Sequence, residues 1–122
     1  RYHTMPYRYG FAGCPDPDEP NAATARSCYA RMDVQTRQYQ LWRADAGITL
    51  GEPVFAPKSA TAREGEGYLL GVTYHMREGL RSDLVILDAE RVEDGPLAVV
   101  RLPVQASPQV HGWWVREDQY PA

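Results

Sequence analysis

Apolar residues along this chain fall in short runs that end at turn residues. No stretch carries the recurring three-to-four spacing of a long amphipathic helix, and short runs closed by turns are the mark of an all-β chain. The pattern predicts strands at Tyr7–Ala12, Cys28–Asp33, Gln38–Arg43, Pro53–Ala56, Tyr68–Tyr74, Asp83–Leu87, Leu97–Leu102 and Gly112–Val115. Between them, Gly13 to Thr24 is a polar loop. Its three prolines cannot donate to a central ladder, and its Asp and Asn favour turns. "SATAREGEG" is a second loop, and "HMREGLRS" joins two strands as a longer hairpin loop.

A weak repeat runs through this pattern. "CYARMD" closes on Asp33, turns through "VQTR", and continues as "QYQLW", a loop and "GEPVFAP". "LVILDA" carries Asp88, turns through "ERVEDG", and continues as "PLAVVRLP", a loop and "VHGWWV". Asp33 precedes Glu52 by 19 positions and Asp88 precedes His111 by 23, so the halves differ by a few loop residues. Antiparallel units repeating every several tens of residues suggest propeller blades. Two units cannot close a ring, which leaves a small sandwich or a slice of a larger propeller. The repeat puts Glu52 and His111 at equivalent places, each at the start of the strand after the long loop. If that strand is innermost, an acid and an imidazole face one channel from neighbouring blades.

Composition narrows the field. The chain has 122 residues, enough for one domain or part of one. Leu, Ile, Val and Phe make up about a fifth of it, lean for a self-sufficient core. A net charge of −3 with interspersed signs offers no basic stripe, which argues against nucleic acid and acidic membrane surfaces. No apolar run approaches the roughly 18 residues of a membrane span. No signal peptide is visible, and a start at Arg1 reads as a processed or excised segment. Cys14 and Cys28, each near a loop, build neither a disulfide framework nor a zinc cluster. They read as unpaired thiols in a reducing, cytoplasmic setting.

The stretch from Gly51 to Val115 resembles the C-terminal part of a carotenoid cleavage oxygenase, a family that includes the bacterial lignostilbene dioxygenases. The likeness is carried by Gly51-Glu52-Pro53-Val54-Phe55, Glu66-Gly67-Tyr68-Leu69-Leu70, Ser82 to Ala89 ("SDLVILDA"), and His111-Gly112 with Trp114-Val115. "YRYGF" and "MDVQTRQYQLW" agree more loosely. The resemblance implies an all-β, antiparallel fold: residues 1–122 as roughly the last two blades of a seven-bladed β-propeller, with the remainder of the propeller upstream. It also implies a non-haem Fe(II) on the propeller axis, held by four histidines and braced by three glutamates. The last ligand matches His111, and Glu52 matches one bracing glutamate. Three more ligands would lie upstream, with His3 and His75 read as surface residues.

Those residue types suit the chemistry. Four neutral imidazoles bind Fe(II) and leave room for dioxygen. A ligating imidazole commonly donates its other N–H to an acceptor that fixes its orientation. The implied reaction cleaves an alkene double bond of an apolar, conjugated substrate with O2 to two carbonyl products. The substrate would be a carotenoid, an apocarotenoid or a stilbene, with a slight lean to the stilbene class. Gly112 would let backbones pack closely, Trp113 and Trp114 would fill the gap between blades, and Phe55 reads either as core or as flanking the iron cavity. Gln109-Val110 stands where the family commonly has Gly-Phe, and "VQASP" replaces a more regular run, which bears on the substrate pocket more than on the ligand. The competing readings are a non-catalytic β-propeller binding module that has lost the iron, and a free-standing two-sheet domain.

Overall fold

A computed structural model describes residues 5–19, 26–76 and 81–120. Every strand in it pairs antiparallel, as the all-β reading expects. Strands β1 (Tyr9–Cys14), β2 (Cys28–Asp33) and β3 (Gln38–Arg43) form one sheet in chain order. Strands β4 (Ile48–Leu50), β5 (Val54–Pro57), β6 (Gly67–His75), β7 (Arg81–Asp88) and β8 (Pro96–Arg101) form the second. Its order is β4-β6-β7-β8, and β5 also pairs with β6.

β4 and β5 are two halves of one broken edge strand. β4 lies along the His75 end of β6, and β5 along the Gly67 end. At the break the Gly51 N–H donates to the Val72 carbonyl at 2.7 Å, and Pro53 has no N–H to continue the ladder. β4 was not expected from the sequence, because three residues between glycines are too few to display a period.

The predicted strand Gly112–Val115 is a correction. Residues 111–116 take no regular structure and pair with no strand among the described residues. β-prone residues form a strand only beside a partner, and among the described residues none offers one. Side chains hold the stretch leading into it: Ala106 N–H donates to Ser82 Oγ at 3.1 Å, and Gln109 N–H to the Tyr74 hydroxyl at 3.2 Å.

The repeat seen in the sequence has a local cause. Asp33 Oδ1 accepts from the backbone N–H of Gln35 and Thr36, and Asp88 Oδ1 from that of Glu90. Each aspartate therefore turns the chain after its strand. The Arg8 guanidinium at 2.8 Å, with those two N–H groups, holds the Asp33 carboxyl well below the usual carboxylate range.

The core lies where the sheets meet. Tyr29, Leu50, Leu69, Val85, Leu87 and Val92 are buried together, with Phe11, Trp42 and Ile48 against them. Tyr29 is fully buried, its ring 5.8 Å from that of Trp42 and its hydroxyl donating to the Gly51 carbonyl at 3.1 Å. A buried phenol requires such a partner. Phe55, half-buried, stacks on Phe11 at 5.3 Å across the two sheets, as its core reading expects. By contrast every residue of β8 is exposed, and Leu97, Val99, Val110 and Trp113 are all more than half exposed.

Candidate metal-ligand site

Glu52 projects from the break between β4 and β5. Gly51 anchors that break on both sides, through its N–H to β6 and its carbonyl to Tyr29. His111 arrives on the irregular segment after β8. The structure brings the two side chains together: His111 Nδ1 lies 3.1 Å from Glu52 Oε2. The same carboxylate oxygen accepts the Gly112 N–H at 3.3 Å.

Gly112 is required for this approach. A Cβ there would fall 2.4 Å from Val54 Cγ2, so any larger residue would push the segment away from β5. Tyr74 holds the same segment further up. Its hydroxyl donates to the Ser107 carbonyl at 3.1 Å and accepts the Gln109 N–H. Neither Tyr29 nor Tyr74 stands out in the sequence as a support of this site. A tyrosine at a buried strand position, whose hydroxyl needs a partner, is the signal that could have marked Tyr29.

The contact has a chemical consequence. When Nδ1–H donates to the carboxylate, the imidazole is fixed in the tautomer that leaves the Nε2 lone pair free. His111 is 83% exposed and Glu52 38%, so the pair is an open half-site rather than a closed cage. Among the described residues, no three His, Cys, Asp or Glu side chains converge to hold a metal. The donor set therefore fits one imidazole ligand with its brace, and no more. Trp113 and Trp114 beside it are 82% and 45% exposed.

His75 corrects an expectation. It is not a surface residue: its side chain is 11% exposed, and Nε2 lies 2.8 Å from Asp83 Oδ2. Asp83, 2% exposed, is also gripped by Arg81 Nη2 at 2.6 Å. The Arg81 guanidinium, then the charge and hydrogen bond of His75, hold the Asp83 carboxyl below its ordinary value against the opposing effect of burial. The sequence conceals this because His75 borders a charged loop, and only the register opposing His75 to Arg81 shows the burial. His75→Ala is thus expected to destabilise the fold by about 1–3 kcal/mol in denaturant melts, leaving a buried carboxylate short of a donor. His3 lies outside the described residues.

The geometry can be set against known proteins. The family model of the retinal pigment epithelial membrane protein matches residues 1–116. An isoeugenol monooxygenase of Pseudomonas nitroreducens is 41% identical over 114 residues, covering 88% of this chain and 24% of that protein. A lignostilbene-α,β-dioxygenase isozyme III of Sphingomonas paucimobilis is 31% identical over 128 residues, covering 99% of this chain and 26% of the relative. Among solved structures, the lignostilbene dioxygenase of Pseudomonas brassicacearum superposes with a TM-score of 0.85 at 29% identity, over 94% of this chain and 25% of that one. The chain thus spans about a quarter of the length of the relatives it matches. No helix among the described residues is long and apolar enough to cross a membrane. With nearly the whole chain matched by the family model and an all-β architecture that superposes on a solved member, the chain belongs to the retinal pigment epithelial membrane protein family, the carotenoid oxygenases.

Proposed function

We propose that this chain is part of a non-haem Fe(II) dioxygenase that cleaves an alkene double bond of an apolar, conjugated substrate with O2 to aldehyde or ketone products. In this reading the chain forms the last two blades of a seven-bladed propeller. The observation that carries it is the contact between His111 Nδ1 and Glu52 Oε2, which leaves Nε2 free to bind a metal. Exposure of His111 and of the apolar β8 edge is what a slice of a larger ring would present once its neighbours are removed.

Bound Fe(II) would supply the site at which dioxygen is activated. The residues of this chain have humbler tasks. His111 would contribute one imidazole, and Glu52 would hold the proton on Nδ1 and fix the ring plane. Gly112 would keep the segment close to β5. Tyr29 would fix the carbonyl next to Glu52, so the carboxylate does not swing away.

The relatives' names favour one substrate class. The two highest identities, 41% and 38%, are to isoeugenol monooxygenases, while a lignostilbene dioxygenase at 31% stands level with carotenoid-cleaving relatives at 31% and 32%. A phenylpropanoid or stilbene-type alkene is accordingly preferred over a carotenoid.

Incubating the full-length protein with isoeugenol, a hydroxylated stilbene and an apocarotenoid under oxygen should release aldehyde from at least one of the first two. Aldehyde from the apocarotenoid alone would overturn the substrate class, and none from any would overturn the activity. The isolated 122-residue chain should bind no stoichiometric iron on metal analysis, because one ligand and one brace cannot retain it.

A further inference from the structure

We propose that Cys14 and Cys28 form an oxidant-closable dithiol, in which a peroxide converts two free thiols into a disulfide joining the end of β1 to the start of β2. The inference does not depend on iron or on the substrate. It rests on the register of the first sheet, where Cys14 directly opposes Cys28 in the last rung of the β1–β2 ladder. Directly opposed residues of an antiparallel pair point to the same face, with Cβ atoms about 4.5–5.5 Å apart. A disulfide needs about 3.5–4.5 Å between Cβ atoms, so closure asks for a movement on the order of 1 Å.

The end of the ladder can make that movement. Ser27 N–H donates to the Cys14 carbonyl at 3.1 Å, one residue out of step with the rungs before it. Pro15 follows Cys14 and offers no N–H to lock the strand further. Both thiols are free in the structure, so the disulfide is a state reached only under oxidation.

The two sulfurs differ in access. Cys14 is partly exposed, whereas Cys28 is fully buried. Cys14 therefore meets the oxidant first. Its thiol and one hydrogen peroxide give the sulfenic acid and one water. Cys28 sulfur then attacks the Cys14 sulfur, the S–S bond forms, and the sulfenic oxygen leaves as a second water carrying the Cys28 proton. Two electrons pass from the pair to the peroxide. Burial pushes both thiols above their ordinary pKa, which makes thiolate scarce at neutral pH, so closure should quicken as the solution is made alkaline.

The rung sits beside the candidate site. Tyr29, next in sequence to Cys28, hydrogen-bonds the Gly51 carbonyl, and a Cβ on Gly13 would lie 3.6 Å from that same oxygen. A covalent tie here would stiffen the support beneath Glu52.

The test treats full-length protein with hydrogen peroxide at mildly alkaline pH, blocks remaining thiols with N-ethylmaleimide, digests without reductant and maps the peptides. Diamide, which needs no metal, serves as a second oxidant. The expected result is a cross-linked Cys14–Cys28 peptide under both oxidants, reversed by dithiothreitol, with the two thiols lost together. In Cys28→Ala, Cys14 should instead advance to the sulfinic acid. The proposal is overturned if wild-type Cys14 reaches the sulfinic acid while Cys28 stays alkylatable. It is equally overturned if both thiols persist at a dose that oxidises free glutathione in the same tube.

Discussion

Full-length protein carrying His111→Ala is expected to lose at least tenfold in iron content, and its turnover with it, while melting within a few degrees of wild type. The two halves of that expectation rest on different observations. The fold is indifferent because the imidazole fills no part of the described core, and its side-chain partner among the described residues is Glu52. Iron is sensitive because a ligand is removed outright, a greater loss than that of an outer partner. Glu52→Gln is the graded companion. Its amide oxygen can still accept from Nδ1–H and Gly112 N–H, but without the full charge that raises the basicity of the ring. An intermediate loss, on the order of 10-fold in activity with the fold intact, is expected. His75→Ala separates ligation from stability in the opposite sense, with a lower melting point and unchanged iron. Equal iron in wild type and His111→Ala would remove the assignment, whatever the other two variants did.

Much of this architecture can be read from the residues, for physical reasons that also explain the failures. Alternation in β6 and β7 is legible because one face of each is buried, Leu69, Thr73, Asp83, Val85 and Leu87 all pointing inward. Asp33 and Asp88 are legible because turn chemistry is local. Glu52 and His111 stand out only through the repeat and the family likeness, since neither motif says what lies opposite it in space. Gly112–Val115 fails as a strand because β propensity describes a fit to a neighbour, and no strand among the described residues pairs with it. His75 fails as a surface residue because burial at a strand end depends on register. A two-residue offset from Arg81 to Asp83 turns a loop-side imidazole into a partner of a buried carboxylate.

Gly71→Ala is expected to be the most destabilising single-methyl change in the described part of the chain, by about 3 kcal/mol or more. In a strand interior, replacing glycine with alanine by itself favours folding by roughly 0.5–1 kcal/mol, so the sign is decided by space alone. A Cβ on Gly71 would lie 1.9 Å from Tyr29 Oη and 2.4 Å from its Cζ. The phenol cannot swing aside cheaply, being fully buried, packed on Trp42 and bonded to the Gly51 carbonyl. Either that hydrogen bond breaks and strands a buried carbonyl, or β2 lifts from β6. Gly10→Ala is the control, since its Cβ would meet nothing nearer than the flexible end of Met32 at 3.4 Å, and it should be neutral or slightly stabilising. Tyr29→Phe removes the atom nearest the clash, so the double variant Gly71→Ala, Tyr29→Phe should lose less than the sum of the two single changes in denaturant melts. Strict additivity, or a Gly71→Ala protein as stable as wild type, would mean that Tyr29 does not lie over Gly71. The bond that steadies the backbone beneath Glu52 would then have to be sought elsewhere.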